Sequence, residues 1–300
     1  MREIVVEDLP LFRRGKIRDT FRLGDDLLMV ASDRISAFDV VLPTAIPRKG
    51  AVLTQLSRFW FEQTAAIVPN HLLTADVERF PLQLQHFASR LAGRSMIVKR
   101  AERIEIECVV RGYIAGSAWL EYQASGTVCG ESMAPGLGQA QRLDHPIFTP
   151  AIKNDAGHDE NISRQVLADR IGSELASQLE ETSLRLFQAA AGLALRRGII
   201  IADTKFEFGL IDGQLSVIDE MVTPDSSRFW DAETYKPGKD QPSFDKQYVR
   251  NWLIDVGWDK QPPGPDLPAD VVAGTTRRYH EAYQRLTGSP LRNGSEAWQQ

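Results

Sequence analysis

Apolar and polar positions along this chain sort it into short strands and a few long helices. Leu27 to Ala31 and Val40 to Leu42 are compact β-rich runs that predict strands. After Arg48-Lys49-Gly50, which reads as a turn, Val52, Leu53, Leu56, Phe59, Trp60 and Ile67 recur at helical spacing. Met96 to Lys99 and Ile104 to Val110 read as further strands around a charged bend. In the second, Ile104, Ile106, Cys108 and Val110 take one face and Glu105, Glu107, Val109 and Arg111 the other, which gives a core-facing side and a side fit to border a cleft. A boundary at Ala101 to Arg103 divides a β-rich part, 1–102, from an α+β part, 103–300, and no Pro/Gly/Ser linker marks it. Such a boundary implies two lobes packed over a shared site.

Ser117 is placed to cap a short helix that ends by Gly126. Gly130 to Asn161, rich in Gly, Pro, Asp and His with weak periodicity, predicts a long loop. From Ser173, read as a cap, Leu175, Leu179, Leu186, Ala190 and Leu193 form the stripe of a long amphipathic helix, with Gly198 at its αL end. In Ile199 to Leu210 the pleat puts Phe206, Phe208 and Leu210 toward a core and Lys205 and Glu207 on the opposite face. A proline-rich stretch after Pro262 leads to a last helix near Val271 to Leu286, and Gly288 to Gln300 reads as a frayed end.

Composition narrows the partners. Three hundred residues with 43% apolar content are ample for a buried core. Lys and Arg number 35 against 40 Asp and Glu, and a net charge of -5 offers no general attraction to nucleic acid or anionic membrane, so small molecules are the expected partners. Cys108 and Cys129 show neither CxxC spacing nor a disulfide framework, and MREIVVEDL lacks the pattern of a leader, so a cytoplasmic protein is expected. The apolar runs fall far short of the roughly 20 residues of a membrane span. The five histidines lack metal-ligand spacing, with His158 alone singled out, and the absence of GxSxG and GxGxxG argues against nucleophilic hydrolase and dinucleotide redox chemistry.

The densest candidate chemistry lies where the run from Ile199 acquires Asp203, Lys205 and Glu207, turns, and returns through Asp219, Glu220, Asp225 and Arg228. Asp212-Gly213 signals a hairpin. A two-residue loop sets Glu207 opposite Ile218; a three-residue loop, with Gln214 added, sets it opposite Asp219 with Cβ atoms about 5 Å apart. The second register is expected here. Two carboxylates that close repel, and a Mg²⁺ ion bridging them to phosphate oxygens is the usual relief; the alternative is an ordinary hairpin with Lys205 paired to neighbours of Glu207. Arg13 to Arg18 places Gly15 among cations, which suits a phosphate-binding turn or, read alone, a solvated basic one. Ser32 to Asp39 packs hydroxyls and both charge signs into a loop, for which a capped turn is the plainer account. Arg111 to Ser117 ends a strand in small residues beside an arginine, as a phosphate-monoester site would, unless Arg111 simply pairs with Glu105 or Glu107.

Together, GKIRD at 15–19, SDRISAFDV at 32–40, VVRGYIAGSAW at 109–119, HDENIS at 158–163, DTKFEFG at 203–209, DEMVTPDSSRFWD at 219–231 and FDKQYVRNWL at 244–253 resemble, in order, the SAICAR synthetase family of purine biosynthesis. The resemblance leaves only the tail beyond about Thr287 unaccounted for. It implies an α+β, two-lobed fold with a kinase-like or ATP-grasp-like nucleotide cleft. It also implies a ligase that joins 5-amino-1-(5-phosphoribosyl)imidazole-4-carboxylate to L-aspartate as ATP becomes ADP and phosphate. A carboxylate is a poor electrophile, so the γ-phosphoryl group must first move onto it, chemistry that calls for Mg²⁺ and cations rather than a protein nucleophile. By this resemblance Gly15, Lys16, Arg18 and Lys99 hold ATP, and Glu207 and Asp219 hold Mg²⁺. Lys205 and Arg228 are catalytic, and Arg111, Ser117, Asp225 and Arg228 grip the ribotide. Asp33, Ser36, Asp39, Lys153 and Lys246 seat aspartate. A monomer is expected, with a dimer as the alternative. A small-molecule kinase of related fold and a non-catalytic nucleotide-binding module are the rival functions, and dependence of ADP release on each substrate discriminates them.

Overall fold

The computed structural model describes residues 1, 6–7, 9–153 and 160–292, so His158, the rest of 154–159 and the tail 293–300 lie outside the described residues. Strands β1 (Leu11–Arg14), β2 (Arg18–Leu23) and β3 (Asp26–Ala31) open the chain, and a small hairpin of β4 (Ser36–Ala37) and β5 (Val40–Val41) follows. Helix α1 (Lys49–Gln63) leads to β6 (Leu72–Thr74) and, past the short α2 (Leu82–Gln85) and α3 (Ala88–Leu91), to β7 (Ser95–Lys99). These make a five-stranded antiparallel sheet in the order β1-β2-β3-β7-β6.

Strand β8 (Glu102–Tyr113) begins the second sheet only three residues after β7 ends. After α4 (Ser117–Ser125) and the hairpin of β9 (Thr127–Val128) and β10 (Glu131–Ser132) come β11 (Arg142–Ile152), β12 (Glu160–Asn161), α5 (Arg164–Ile171) and α6 (Ser173–Arg196). Then follow β13 (Ile199–Ile211), β14 (Gln214–Ile218), β15 (Ser227–Asp231), α7 (Gln247–Asp255) and α8 (Ala269–Thr287). The sheet runs β12-β11-β8-β13-β14, with β15 also paired to the first half of β13. Period-two patterning explains the layering: Cys108 and Val110 of β8 and Phe206 and Phe208 of β13 are fully buried, in one core with Leu179, Leu186, Phe187 and Ala190 of α6. Each of the Val, Leu and Phe side chains among them contributes about 1.5–3 kcal/mol by burial. Among the described residues no helix is long and apolar enough to cross a membrane.

Four local expectations are corrected. The stretch expected as a loop contains β11; its His145-Pro146 falls in the register break between Arg142 and Ile147, which hides the strand's periodicity. Lys49 and Gly50 belong to α1, which ends by Thr64, short of Ile67. Gly116 and Gly172 occupy the N-cap positions assigned to Ser117 and Ser173, which are instead the first helical residues. The β13–β14 hairpin closes with the two-residue loop, so Glu207 pairs with Ile218, not Asp219. Asp212 (φ 52) and Gly213 (φ 77) both take positive φ, the type I′ geometry whose twist suits the flanking strands.

Candidate active site

The polar faces of β8 and β13 coincide, because the antiparallel register sets Arg111 opposite Asp203 and Glu107 opposite Glu207. At the Glu207 end, Glu107 and Glu207 are 5% and 6% exposed and share two ammonium groups. Lys205 Nζ donates to Glu107 Oε1 at 2.5 Å and lies 3.6 Å from Glu207 Oε1. Lys153, just past β11, donates to Glu207 and lies 3.6 Å from Glu107. Asp219 follows β14 in a left-handed conformation (φ 65) that turns the chain out of the strand. Its carboxylate accepts from Arg18 Nε at 3.0 Å and Nη2 at 2.6 Å, while Arg18 Nη1 is 3.1 Å from Glu220. Burial would raise the Glu207 carboxyl, but Lys205 and Lys153 outweigh it and hold it at about 2. Burial raises Asp219, and Glu207 and Glu220 add to the rise against the pull of Arg18. Lys205 is driven up by Glu207 and Glu107 despite its own burial, so it remains a cation.

The other end is built of arginine. Asp203, buried, accepts from Arg228 Nη1 and from Arg111 Nη1 at 3.3 Å. Arg111 also donates to Thr149 Oγ1 at 3.0 Å and to Ser117 Oγ at 3.4 Å. It therefore pairs across the sheet with Asp203 rather than along its own strand with Glu105 or Glu107. Gly116 (φ 57, ψ -132) lets the guanidinium of Arg228 close in: a Cβ there would stand 2.1 Å from Nη2. Ser117, Arg111 and Arg228 thus converge, whereas Asp225, grouped with them by the resemblance, pairs with Lys49 and Tyr279.

The remaining candidates scatter. Asp225 accepts from Lys49 Nζ at 2.6 Å and from Tyr279 OH at 2.7 Å, which ties α1 to α8. Lys246, at the start of α7, sits in the field of Asp225, Arg250 and Lys49, and burial first, then its cationic neighbours, bring it down to about 8. Asp33 is buried and accepts from Arg94 at 2.9 Å, the Gly50 amide at 3.1 Å and the amino terminus, so it anchors the start of α1. Ser36 is buried in β4; Asp39, on the hairpin tip, pairs with Lys16. Gly15 closes its turn by donating to Arg18 O at 2.7 Å. Lys99 joins neither charged group and lies half-exposed, 3.7 Å from Asp212. Glu107, placed on the cleft-side face of β8 but given no role at the site, and Lys49 were missed as site residues. Glu107 carries a signal, its place on the polar face of β8, whereas Lys49 is hidden in an apparent turn, and nothing local marks it as fully buried.

The SAICAR synthetase family model matches residues 11–265, a span holding every candidate above except Tyr279 and the amino terminus. The chain belongs to the SAICAR synthetase family. It is 51% identical to the phosphoribosylaminoimidazole-succinocarboxamide synthase of Desulforapulum autotrophicum over 282 residues, 94% of this chain and 96% of that one. The protein of the same name from Pelobacter propionicus is 52% identical over 284 residues, again 94% and 96%. Among solved structures, SAICAR-synthase from Saccharomyces cerevisiae complexed with SAICAR superposes with a TM-score of 0.88 at 41% identity, covering 97% of this chain and 98% of that one. A SAICAR synthetase in complex with ADP matches at 0.68 and 26% identity, covering 93% and 98%. The mixed α+β architecture is therefore that of SAICAR synthetases.

Proposed function

We propose that this chain carries out the SAICAR synthetase reaction on the shared face of β8 and β13, with ribotide phosphate at the arginine end and the metal–nucleotide at the carboxylate end. The activity is that of an ATP-dependent ligase of de novo purine biosynthesis. The observation that carries the site assignment is the β8–β13 register, which separates the Arg111–Asp203 and Glu107–Glu207 pairs by four residues, roughly 13 Å of strand. The ribotide bears its phosphate and its reacting carboxylate at opposite ends, and this strand length suits it.

Arg111, Arg228 and Ser117 give the phosphate charge-assisted donors, two of them already oriented by Asp203. Glu207 and Asp219 would hold Mg²⁺: both offer hard carboxylate oxygens to an ion that takes one or two protein carboxylates, and the cations now on them, Lys153 and Arg18, are the ones it would displace. When bound, the ion supplies positive charge to the phosphate oxygens. Arg18, Lys16 and Lys99, with the Gly15 turn, hold the nucleotide. Lys205 holds its charge over the transferring group. A ribotide carboxylate oxygen attacks the γ-phosphorus and the bond to ADP breaks. The aspartate amine then attacks the acyl carbon, phosphate leaves, and the nitrogen loses a proton. Lys246, Lys153, Asp33, Ser36 and Asp39 serve the aspartate. The enzyme acts in the cytoplasm as a monomer, and residues 1–102 and 103–300 form the two lobes.

A coupled ADP assay with each substrate omitted in turn tests this reading. Sustained ADP release, beyond one turnover per enzyme, is expected only with ribotide and aspartate both present, and ¹⁸O in the ribotide carboxylate is expected in the released phosphate. ADP release without aspartate turnover would favour a kinase, and label-free phosphate would exclude the acyl phosphate.

A further inference from the structure

Two carboxylates face each other across neighbouring strands where like charges ordinarily destabilise a sheet: Glu107 and Glu207 are register partners, with Cβ atoms about 5 Å apart, and both are buried. The chain resolves the conflict with two ammonium groups in a crossed arrangement. Lys205 lies two residues from Glu207 on the same strand face, yet its short contact, 2.5 Å, is with Glu107, and its distance to Glu207 is 3.6 Å. Lys153 does the reverse, hydrogen-bonded to Glu207 and 3.6 Å from Glu107. Lys153 stands just beyond the last residue of β11, whereas Lys205 is fixed in the middle of β13. If Lys205 settled on Glu207, that carboxylate would carry a cation that the strand cannot move away.

We infer that Glu107 is a positioning residue for the reaction: it takes the hydrogen bond of Lys205 and keeps that ammonium 3.6 Å from Glu207, so that among the described residues Glu207 is hydrogen-bonded only by Lys153, a cation it can exchange for a metal ion. This rests on the reading of Glu207 as a metal-holding carboxylate. Glu107 thereby sets two things at once, the cleft-side place of the Lys205 ammonium and the availability of Glu207. Both follow from a side chain assigned neither to nucleotide nor to ribotide.

The test compares Glu107→Gln, Glu107→Asp and Glu207→Gln by electron paramagnetic resonance of Mn²⁺ titrated into the full-length protein with ADP, and by kcat. Glu107→Gln is expected to weaken Mn²⁺ about tenfold, the usual size for loss of a group behind a metal ligand, and to lower kcat with it. Glu107→Asp, which keeps the charge, should recover most of both effects. If the Gln variant fails to fold, Glu107→Ala carries the comparison. Wild-type Mn²⁺ affinity in a folded Glu107→Gln or Glu107→Ala, alongside lost affinity in Glu207→Gln, would overturn the Glu107 inference and leave the metal site standing. Wild-type affinity in Glu207→Gln would instead remove the metal site and the inference with it.

Discussion

The two ends of the β8–β13 face are made of the same residue types in opposite proportion. At one end two guanidiniums, Arg111 and Arg228, pair with the carboxylate of Asp203. At the other, four carboxylates (Glu107, Glu207, Asp219 and Glu220) share three cations, Lys153, Lys205 and Arg18, among the described residues. Counted over these paired groups, guanidiniums outnumber carboxylates at the first end and carboxylates outnumber cations at the second. Buried ion pairs are weak sources of stability, since desolvation offsets most of the attraction. In the function proposed above, that imbalance supplies selectivity, an anion completing one end and a cation the other. On that proposal it is the sign of the unmatched charge, rather than the presence of charge in a strand, that separates the phosphate end from the metal end.

The most damaging way to test that contrast is to remove a carboxylate from the acidic end. Glu207→Ala or Asp219→Ala is expected to lower Mg²⁺-dependent turnover about a hundredfold, a loss of roughly 2.7 kcal/mol of transition-state stabilisation, with the circular dichroism spectrum preserved. Near-normal turnover at limiting Mg²⁺ would break the comparison. A smaller change at the basic end touches no charge at all. In Gly116→Ala the new Cβ would lie 2.1 Å from Arg228 Nη2, in a backbone region that costs a non-glycine residue about 1–3 kcal/mol. Ribotide affinity should fall about tenfold while nucleotide affinity holds, as calorimetry of each ligand can check.

The mildest prediction concerns pH. Burial, with Arg250 and Lys49, lowers Lys246 to about 8 although Asp225 pulls the other way, so its positive charge is present below that pH and lost as pH rises through it. If Lys246 seats aspartate, the KM for aspartate should climb above about pH 8. Asp225→Asn should bring the climb to lower pH, and Lys246→Arg should postpone it, since a guanidinium stays charged. A flat KM across that range would take Lys246 out of the aspartate site.

Much of this was legible in the residues. The stripe through Leu179, Leu186 and Ala190, and the alternation that buries Cys108, Phe206 and Phe208, follow from periodicity because one face of each element meets a core. The convergence of Arg111, Ser117 and Arg228 was legible through motifs. The hairpin register was not: Asp212-Gly213 suits both loop lengths, and the choice depends on backbone twist that residue types alone leave open. Asp219 reaches the acidic end through its own left-handed bend instead of by pairing with Glu207. Long-range partners were equally hidden, because neither Lys153 on Glu207 nor Lys49 on Asp225 has any trace in local sequence spacing. Those pairs exist only once two distant segments have packed.

The division of charge along one sheet is tested most directly by crossing two variants against two ligands. Calorimetric titration of Glu207→Gln and Arg111→Ala with Mg²⁺ and a non-hydrolysable ATP analogue, and separately with the ribotide, gives four affinities to set against the wild type. The account predicts a crossed result: Glu207→Gln loses Mg²⁺-dependent nucleotide binding and keeps the ribotide, whereas Arg111→Ala keeps the nucleotide and loses about ten- to a hundredfold in ribotide affinity, the value of a charge-assisted contact worth about 1.5–3 kcal/mol. Equal losses of both ligands in both variants would contradict it, and would make these charges parts of one structural network.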